Sequence, residues 1–268
     1  MNRQNSSPAL AIKLDAGVVD SVLADHDTAD ESTSESETAI STTLHLSPAV
    51  RAAKRLVDLT LASAGLLILS PLMLIVALII RLDSPGPVIY AQARVGQQRR
   101  RGQRPFRGSD HRVDNLMGTP FTIYKFRTMR QDAEAASGPV WARRKDPRIT
   151  RIGKFLRRTR IDELPQLWNV VRGEMSFVGP RPERPHFVKQ LIAEVPRYGE
   201  RLVVTKPGIT GLAQVSCSYD TSLASVRRKL RYDLHYCESL SSLPRYLVME
   251  LKILWRTVET VLSGRGAH

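Results

Sequence analysis

Cysteine is nearly absent from this 268-residue chain: Cys217 and Cys237 are the only two. Two residues make no disulfide framework, which fits a reducing compartment or a fold without staples. Aromatic residues are 6% of the chain, too few to point to a stacking surface for nucleic acid. The six histidines and two cysteines show no zinc-like spacing. A Walker loop and a G-x-G-x-x-G turn are both missing, so any nucleotide is held by other devices. The N-terminus lacks the basic segment and continuous apolar core of a secretory signal, and there is no internal repeat.

What the chain does have is positive charge, unevenly placed. Residues 1–50 carry eight acids against Arg3 and Lys13, whereas residues 51–268 carry 38 bases and 18 acids, a net of +20. A body that basic calls for anionic partners: nucleic acid, anionic lipid or a phosphorylated substrate. The Ser/Thr-rich acidic stretch 25–43 holds few large apolar groups, so burial does not offset its ordering entropy. Residues 1–48 therefore read as a disordered acidic tail.

The class of the protein turns on residues 59–80, LTLASAGLLILSPLMLIVALII, which contain no charge. At about 1.5 Å per residue such a helix matches a hydrocarbon core roughly 30 Å thick. Ser70-Pro71 lies in the middle of the run. Proline removes a backbone donor and crowds the preceding turn, and a serine hydroxyl can take up the freed carbonyl. Arg51, Lys54 and Arg55 precede the run, and Arg81 with a basic stretch follows it. Both flanks thus favour the cytoplasmic side. A helix that enters, breaks at Ser70-Pro71 and leaves by the same face fits these features; a kinked spanning helix is the competing reading.

The fold class expected is α+β and mainly helical. It combines a re-entrant membrane helix hairpin over 49–82 with a compact cytoplasmic catalytic domain over 83–262, built of short strands and amphipathic interfacial helices. Val-Ile-Tyr (88–90) and FTIYKF (121–126) read as strands. Residues 148–173 read as two helices, 184–195 as a third and 243–262 as a fourth. That last helix suits core packing or a membrane interface equally. Between Arg94 and Arg112 lie seven arginines and one acid, Asp110, so 97–119 reads as a loop for anionic headgroups.

Asp162-Glu163 is the pair most suited to chemistry. Arg157, Arg158 and Arg160 lie within five residues, and guanidinium groups bind phosphate in bidentate fashion. A carboxylate among arginines stays ionised, which suits a nucleophile or a Mg²⁺ ligand. The plainer reading is a helix start with Asp162 as N-cap, and the two are compatible. In FVGPRP (177–182), Arg181 stands between two prolines that limit its backbone freedom. Lys125 and Arg127, two apart on a strand, form a plausible phosphate clamp or a solvated edge. KPGITG (206–211) is a glycine-bearing loop through which backbone can approach a ligand.

These segments together resemble the bacterial sugar transferase family of monotopic polyprenyl-phosphate phosphoglycosyl transferases. The matching pieces are KRLVDLTLASAGLLILSPLMLI (54–75), SPGPVIYAQARVG (84–96), FTIYKFRTM (121–129), DPRITRIGKFLRRTRIDELPQLWNVVRGEMSFVGPRP (146–182) and TKPGITGLAQV (205–215). The resemblance implies a re-entrant helix broken at Ser70 and Pro71, with the catalytic domain on the cytoplasmic face of the bacterial inner membrane. It implies Asp162 as the nucleophile on the sugar-linked phosphate of a UDP-sugar, with undecaprenyl phosphate as acceptor and UMP released. Glu163 assists, Mg²⁺ lies near Asp162, and Arg157 and Arg181 meet substrate phosphates, with Lys125 and Arg127 as further candidates. Anionic lipid is an implied partner and nucleic acid is not; a homo-oligomer stays open, as do the sugar and the glycan, exopolysaccharide being favoured. The alternative from another class is a non-catalytic, membrane-anchored basic scaffold, which gives no reason for carboxylates among arginines.

Overall fold

A computed structural model describes residues 46–98, 118–131, 133, 146–217 and 222–263. The acidic tail and nearly all of the arginine-rich stretch 97–119 lie outside the described residues. Helix α1, Pro48–Asp83, opens on a proline at its first position, where a missing N–H costs nothing. Strand β1, Ile89–Val95, then pairs antiparallel with β2, Pro120–Phe126, in the register Ile89 to Phe126. Helix α2, Arg151–Thr159, is followed by a 3₁₀ turn at Ile161–Glu163 and by α3, Gln166–Val171. Strand β3, Ser176–Val178, leads to α4, Pro185–Glu194, and α5, Arg201–Val204. Strand β4, Gly208–Thr210, lies parallel to β3, and α6 (Leu212–Ser216), α7 (Leu223–Ser239) and α8 (Leu243–Ser263) complete the order. The mainly helical α+β expectation holds, with both short strands in place.

Four apolar clusters run beneath these elements. Val50, Val178, Val204, Tyr236, Tyr246 and Ile253 join the start of α1 to β3, α7 and α8. Ala62, Ile123, Leu167 and Val170 join its middle to β2 and α3, and Val76 and Ile80 join its end to Phe126 and Leu156. A fourth, with Val95, Val188, Leu202 and Leu230, lies under β1, α4, α5 and α7. One stripe of α1 therefore lies on the domain along much of its length. Its opposite face, including Leu67, Ile68, Leu74, Leu78 and Leu82, is exposed. Helix α8 packs one stripe into the core and leaves another exposed. It buries Tyr246, Glu250 and Ile253, and it exposes Leu247, Leu251, Trp255, Val258 and Leu262 at helical spacing.

The break expected at Ser70-Pro71 is not an interruption of the helix, which runs through Pro71 to Asp83. The cause is local. Pro71 lacks the N–H that would reach the carbonyl of Leu67, and the Ser70 hydroxyl donates to that carbonyl instead, at 2.9 Å. The orphaned acceptor is satisfied, so the helical run survives its proline.

Both ends of α1 are tied to the domain by polar contacts. Near the start, Lys54 Nζ donates to Val178 O and Glu250 Oε1, each at 2.9 Å. Arg55 donates to Val170 O and Val171 O, at 2.7 and 2.8 Å. Asp58 accepts from the Ser176 hydroxyl and the Phe177 N–H, at 2.8 and 2.9 Å. At the far end Arg127 donates to Ile80 O, Ser84 O, Ser84 Oγ and Pro85 O.

Candidate active site

The turn carrying Asp162-Glu163 is placed by contacts made well before it. Met129 bridges Ile149, and Thr150 N donates to Thr128 O at 3.0 Å. Thr150 then caps α2, its hydroxyl accepting from Gly153 N at 2.9 Å. At Gly153 a side chain would overlap the Thr128 carbonyl, so only glycine lets α2 sit this close. One turn later Arg157 Nε donates to Thr128 Oγ1, 2.9 Å, which holds its guanidinium by one edge. Helix α2 ends at Arg160, whose φ of 60° makes it the one left-handed non-glycine among the described residues. A long side chain there costs on the order of 1 kcal/mol, and such departures collect at working sites. The reversal at Arg160 turns the chain into the 3₁₀ turn, so that Asp162 and Glu163 face inward, each 8% exposed.

From the other side Asn169, wholly buried, pins α3 to the sheet. Its amide donates to Thr122 O and Glu174 Oε2, both at 2.7 Å, and its oxygen accepts from Tyr124 N at 3.1 Å. That brings Lys125 over the turn. Lys125 Nζ donates to Glu163 Oε1 at 2.9 Å, and Arg181 and Arg160 approach the same oxygen at 3.4 and 4.0 Å. Burial pushes the Glu163 carboxyl up, but Lys125, Arg181 and Arg160 outweigh it and hold it well below the usual carboxylate range. Glu163 is therefore ionised at neutral pH. Lys125 is depressed by its own burial, a shift that Glu163 opposes.

Asp162 differs in kind. Its Oδ1 is buried and accepts no hydrogen bond. Burial first, then the charge of Glu163, raises its carboxyl to about 6, with Lys125, Arg157 and Arg160 pulling the other way. It makes no cap either: neither the 3₁₀ turn nor α3, whose N-cap is Pro165, has a side-chain capping bond. The N-cap reading of Asp162 is thus corrected. Four residues on, the Nε2 of Gln166 is likewise buried without a partner. An ionisable acceptor on the 3₁₀ turn and an amide donor at the start of α3 are thus both unsatisfied. Buried polar groups are nearly always satisfied by protein, water or ligand.

The structure brings Asp162, Glu163, Lys125, Arg157, Arg160 and Arg181 together. Arg127 goes elsewhere: it is 6% exposed and caps the end of α1, so the pair with Lys125 does not form a clamp. The reason is that β2 ends at Phe126, beyond which the alternation of a strand no longer applies. The glycines of KPGITG approach the backbone of Gly179. Gly208 N donates to Pro180 O, and Gly179 N to Thr210 O, each at 2.9 Å, which locks the two loops as the β3–β4 pair. Asn169, Gln166 and Asp58 escaped sequence reasoning. Asp58 carried a signal, being an acid at the mouth of an apolar run.

A magnesium ion suits a site of one or two carboxylates completed by substrate phosphates. The partnerless oxygen of Asp162 fits one such position, and no cluster of three ligating side chains occurs among the described residues.

Residues 49–264 match the family model described as bacterial sugar transferase. The chain is 41% identical over 83% of its length to a UDP-N-acetylgalactosamine-undecaprenyl-phosphate N-acetylgalactosaminephosphotransferase of Aeromonas hydrophila, of which it covers 46%. It is 38% identical over 82% of its length to a UDP-glucose:undecaprenyl-phosphate glucose-1-phosphate transferase of Caulobacter vibrioides, covering 73% of that protein. To the exopolysaccharide production protein PSS of Rhizobium leguminosarum bv. phaseoli it is 39% identical over 80% of its length, covering 97% of that chain. The chain belongs to the bacterial sugar transferase family and is, by class, a transferase enzyme.

Proposed function

We propose that this protein transfers a sugar-1-phosphate from a UDP-sugar to undecaprenyl phosphate by way of a covalent intermediate on Asp162. The observation that carries the reading is the buried, partnerless Oδ1 of Asp162 beside Lys125, Arg157 and Arg160. The ionised carboxylate attacks the sugar-linked phosphorus, and the bond from that phosphorus to the bridging oxygen breaks. The electron pair leaves with UMP, and the phospho-sugar stays on Asp162. An oxygen of undecaprenyl phosphate then attacks the same phosphorus and expels the Asp162 carboxylate, giving undecaprenyl-diphospho-sugar.

Desolvation keeps the Asp162 carboxylate reactive, and a pKa near 6 leaves it mostly ionised at pH 7. Arg181 and Arg157 meet the phosphates. Glu163, held ionised by Lys125, orients that lysine and the acceptor. Asp162 would hold Mg²⁺, which would supply charge neutralisation for the diphosphate. The names of the relatives support the reaction class, and that of the Rhizobium protein supports a place in exopolysaccharide production. The scaffold alternative offers no reason for a buried acid without a partner.

For the membrane, the reading is one-sided embedding with the domain on the cytoplasmic face. Helix α1 is long and apolar enough to cross a bilayer, yet both of its ends are bonded to one domain. That double attachment supports a re-entrant course over a spanning one.

The test of the chemistry incubates detergent-solubilised protein with undecaprenyl phosphate, Mg²⁺ and UDP-glucose or UDP-N-acetylgalactosamine. Release of UMP is expected; release of UDP means ordinary glycosyl transfer and sinks the mechanism. For topology, single cysteines at 49 and 84, in a Cys217→Ser, Cys237→Ser background, are both expected to label from the cytoplasmic side. Labelling from opposite sides refutes the re-entrant course.

A further inference from the structure

The loop that carries Arg181 is short of its own means of attachment. Pro180, Pro182 and Pro185 have no N–H, so the loop is held through its carbonyls. Four consecutive carbonyls each accept one donor. Pro180 O accepts from Gly208 N at 2.9 Å, and Glu183 O from Val95 N at 2.9 Å. Between them, Arg181 O accepts from Arg201 Nη1 at 3.2 Å, and Pro182 O from Arg94 Nη1 at 3.0 Å. The two outer donors belong to backbone; the two inner ones are arginine side chains reaching in from β1 and α5.

Each of these arginines is itself fixed. Arg201 is 3% exposed, pairs with Asp233 at 3.3 Å and lies 4.0 Å from the ring of Tyr198. Arg94 donates to Gln92 Oε1 at 2.8 Å and lies 3.7 Å from Glu183. Both are poor devices for stability alone, since Arg94 Nε and Arg201 Nε and Nη2 are buried without partners. What they do hold is the root of Arg181, whose side chain, 36% exposed, must reach across to Glu163. A guanidinium on a long stem binds a phosphate well only if its Cα is stationary, because rotamer freedom is lost with each contact.

We propose that Arg94 and Arg201 are positioning residues for phospho-sugar transfer, acting through Arg181 by gripping the carbonyls of Arg181 and Pro182. This rests on the transferase reading above. They touch neither donor nor acceptor, and their effect on the reaction passes through the placement of one guanidinium.

The test is a mutant cycle on full-length protein in detergent, with undecaprenyl phosphate and whichever of UDP-glucose and UDP-N-acetylgalactosamine the wild type turns over. Arg94→Ala is expected to raise the KM for the UDP-sugar about ten-fold, and Arg94→Lys to recover most of that, since an ammonium still donates to Pro182 O. In an Arg181→Ala background, Arg94→Ala should change KM less than about two-fold, because the residues act in series. Arg201→Lys should follow the same pattern. Full ten-fold loss in both backgrounds, or no change in KM in either, overturns the proposal. No UMP from the wild type with either donor overturns the transferase reading and this inference with it. Turnover with additive losses overturns this inference alone.

Discussion

Two buried charge clusters in this molecule are built from the same groups and come to opposite ends. At the start of α1, Lys54, Glu250, Tyr236, Asp58 and Ser176 meet in the interior. There Lys54 is bonded to Glu250 and Val178, Tyr236 donates to Glu250 at 3.0 Å, and Asp58 takes two donors. At the Asp162-Glu163 turn the cations gather on one carboxylate, and the neighbouring carboxylate oxygen accepts nothing. Asp58, Glu250, Asp162 and Glu163 are all buried, each below a tenth exposed. What separates the anchoring cluster from the proposed reacting one is therefore a single buried oxygen that accepts no hydrogen bond.

The comparison can be broken most sharply at its two aspartates. Asp162→Asn removes the charge while keeping the shape, so UMP release should fall by about 10³-fold or more with an unchanged thermal midpoint. Asp58→Asn should do the reverse, lowering the midpoint while leaving turnover per folded molecule within about two-fold. Equal losses of turnover in both variants would erase the distinction. Next in size, Glu250→Gln leaves Lys54 buried without its counter-charge and should lower stability by about 3–5 kcal/mol in a denaturant titration.

A pH profile sharpens the same contrast. In the proposed mechanism Asp162 must be ionised to attack, and its carboxyl is raised to about 6, so kcat/KM should be flat above pH 7 and fall about ten-fold per unit below 6. Glu163 is depressed, so the stability it contributes is present above its unfolded value near 4.3 and is lost only as the medium is acidified further. A profile flat down to pH 5 would remove Asp162 from the nucleophile's role. Smaller still, Arg127→Ala deletes the cap on α1 and should lower the midpoint by an amount equivalent to about 1.5–3 kcal/mol, with the donor KM unmoved. Ser70→Ala frees the Leu67 carbonyl and should cost about 1 kcal/mol.

Local patterns were legible in the chain and long-range attachments were not. The strands 88–90 and 121–126, the paired helices over 148–173 and the C-terminal helix all follow from residue periodicity, which needs no knowledge of partners. The gathering of Asp162, Glu163 and Arg157 was visible because the three lie within seven residues, whereas Arg181 was joined to them only through the family resemblance. Arg127 misled because a cation two residues from Lys125 looks identical whether it meets phosphate or a helix end. Asn169, Gln166, Arg94 and Arg201 were illegible for a related reason. Their value lies in which backbone carbonyl or void they face, and that depends on contacts up to 88 residues apart, as between Arg94 and Pro182. Ser70 stood between. The chemistry of its hydroxyl was readable, but its success in carrying the helix through Pro71 was not.

The parallel pairing of β3 with β4 also sets an order of assembly. The Asp162 turn is closed by neighbours within a few residues, as in the bond from Glu163 N to Arg160 O, and such local closures form early. Arg181 is different, because Pro180 and Arg181 are fixed only when Gly208 and Arg201 arrive across a loop of some twenty to thirty residues. With local closures preceding long-range ones, the turn of the acid proposed as nucleophile is thus shaped before the Arg181 loop is fixed. A nascent chain halted at residue 200 would hold the local closures of the Asp162 turn and still lack the donors that Gly208 and Arg201 bring to the Arg181 loop.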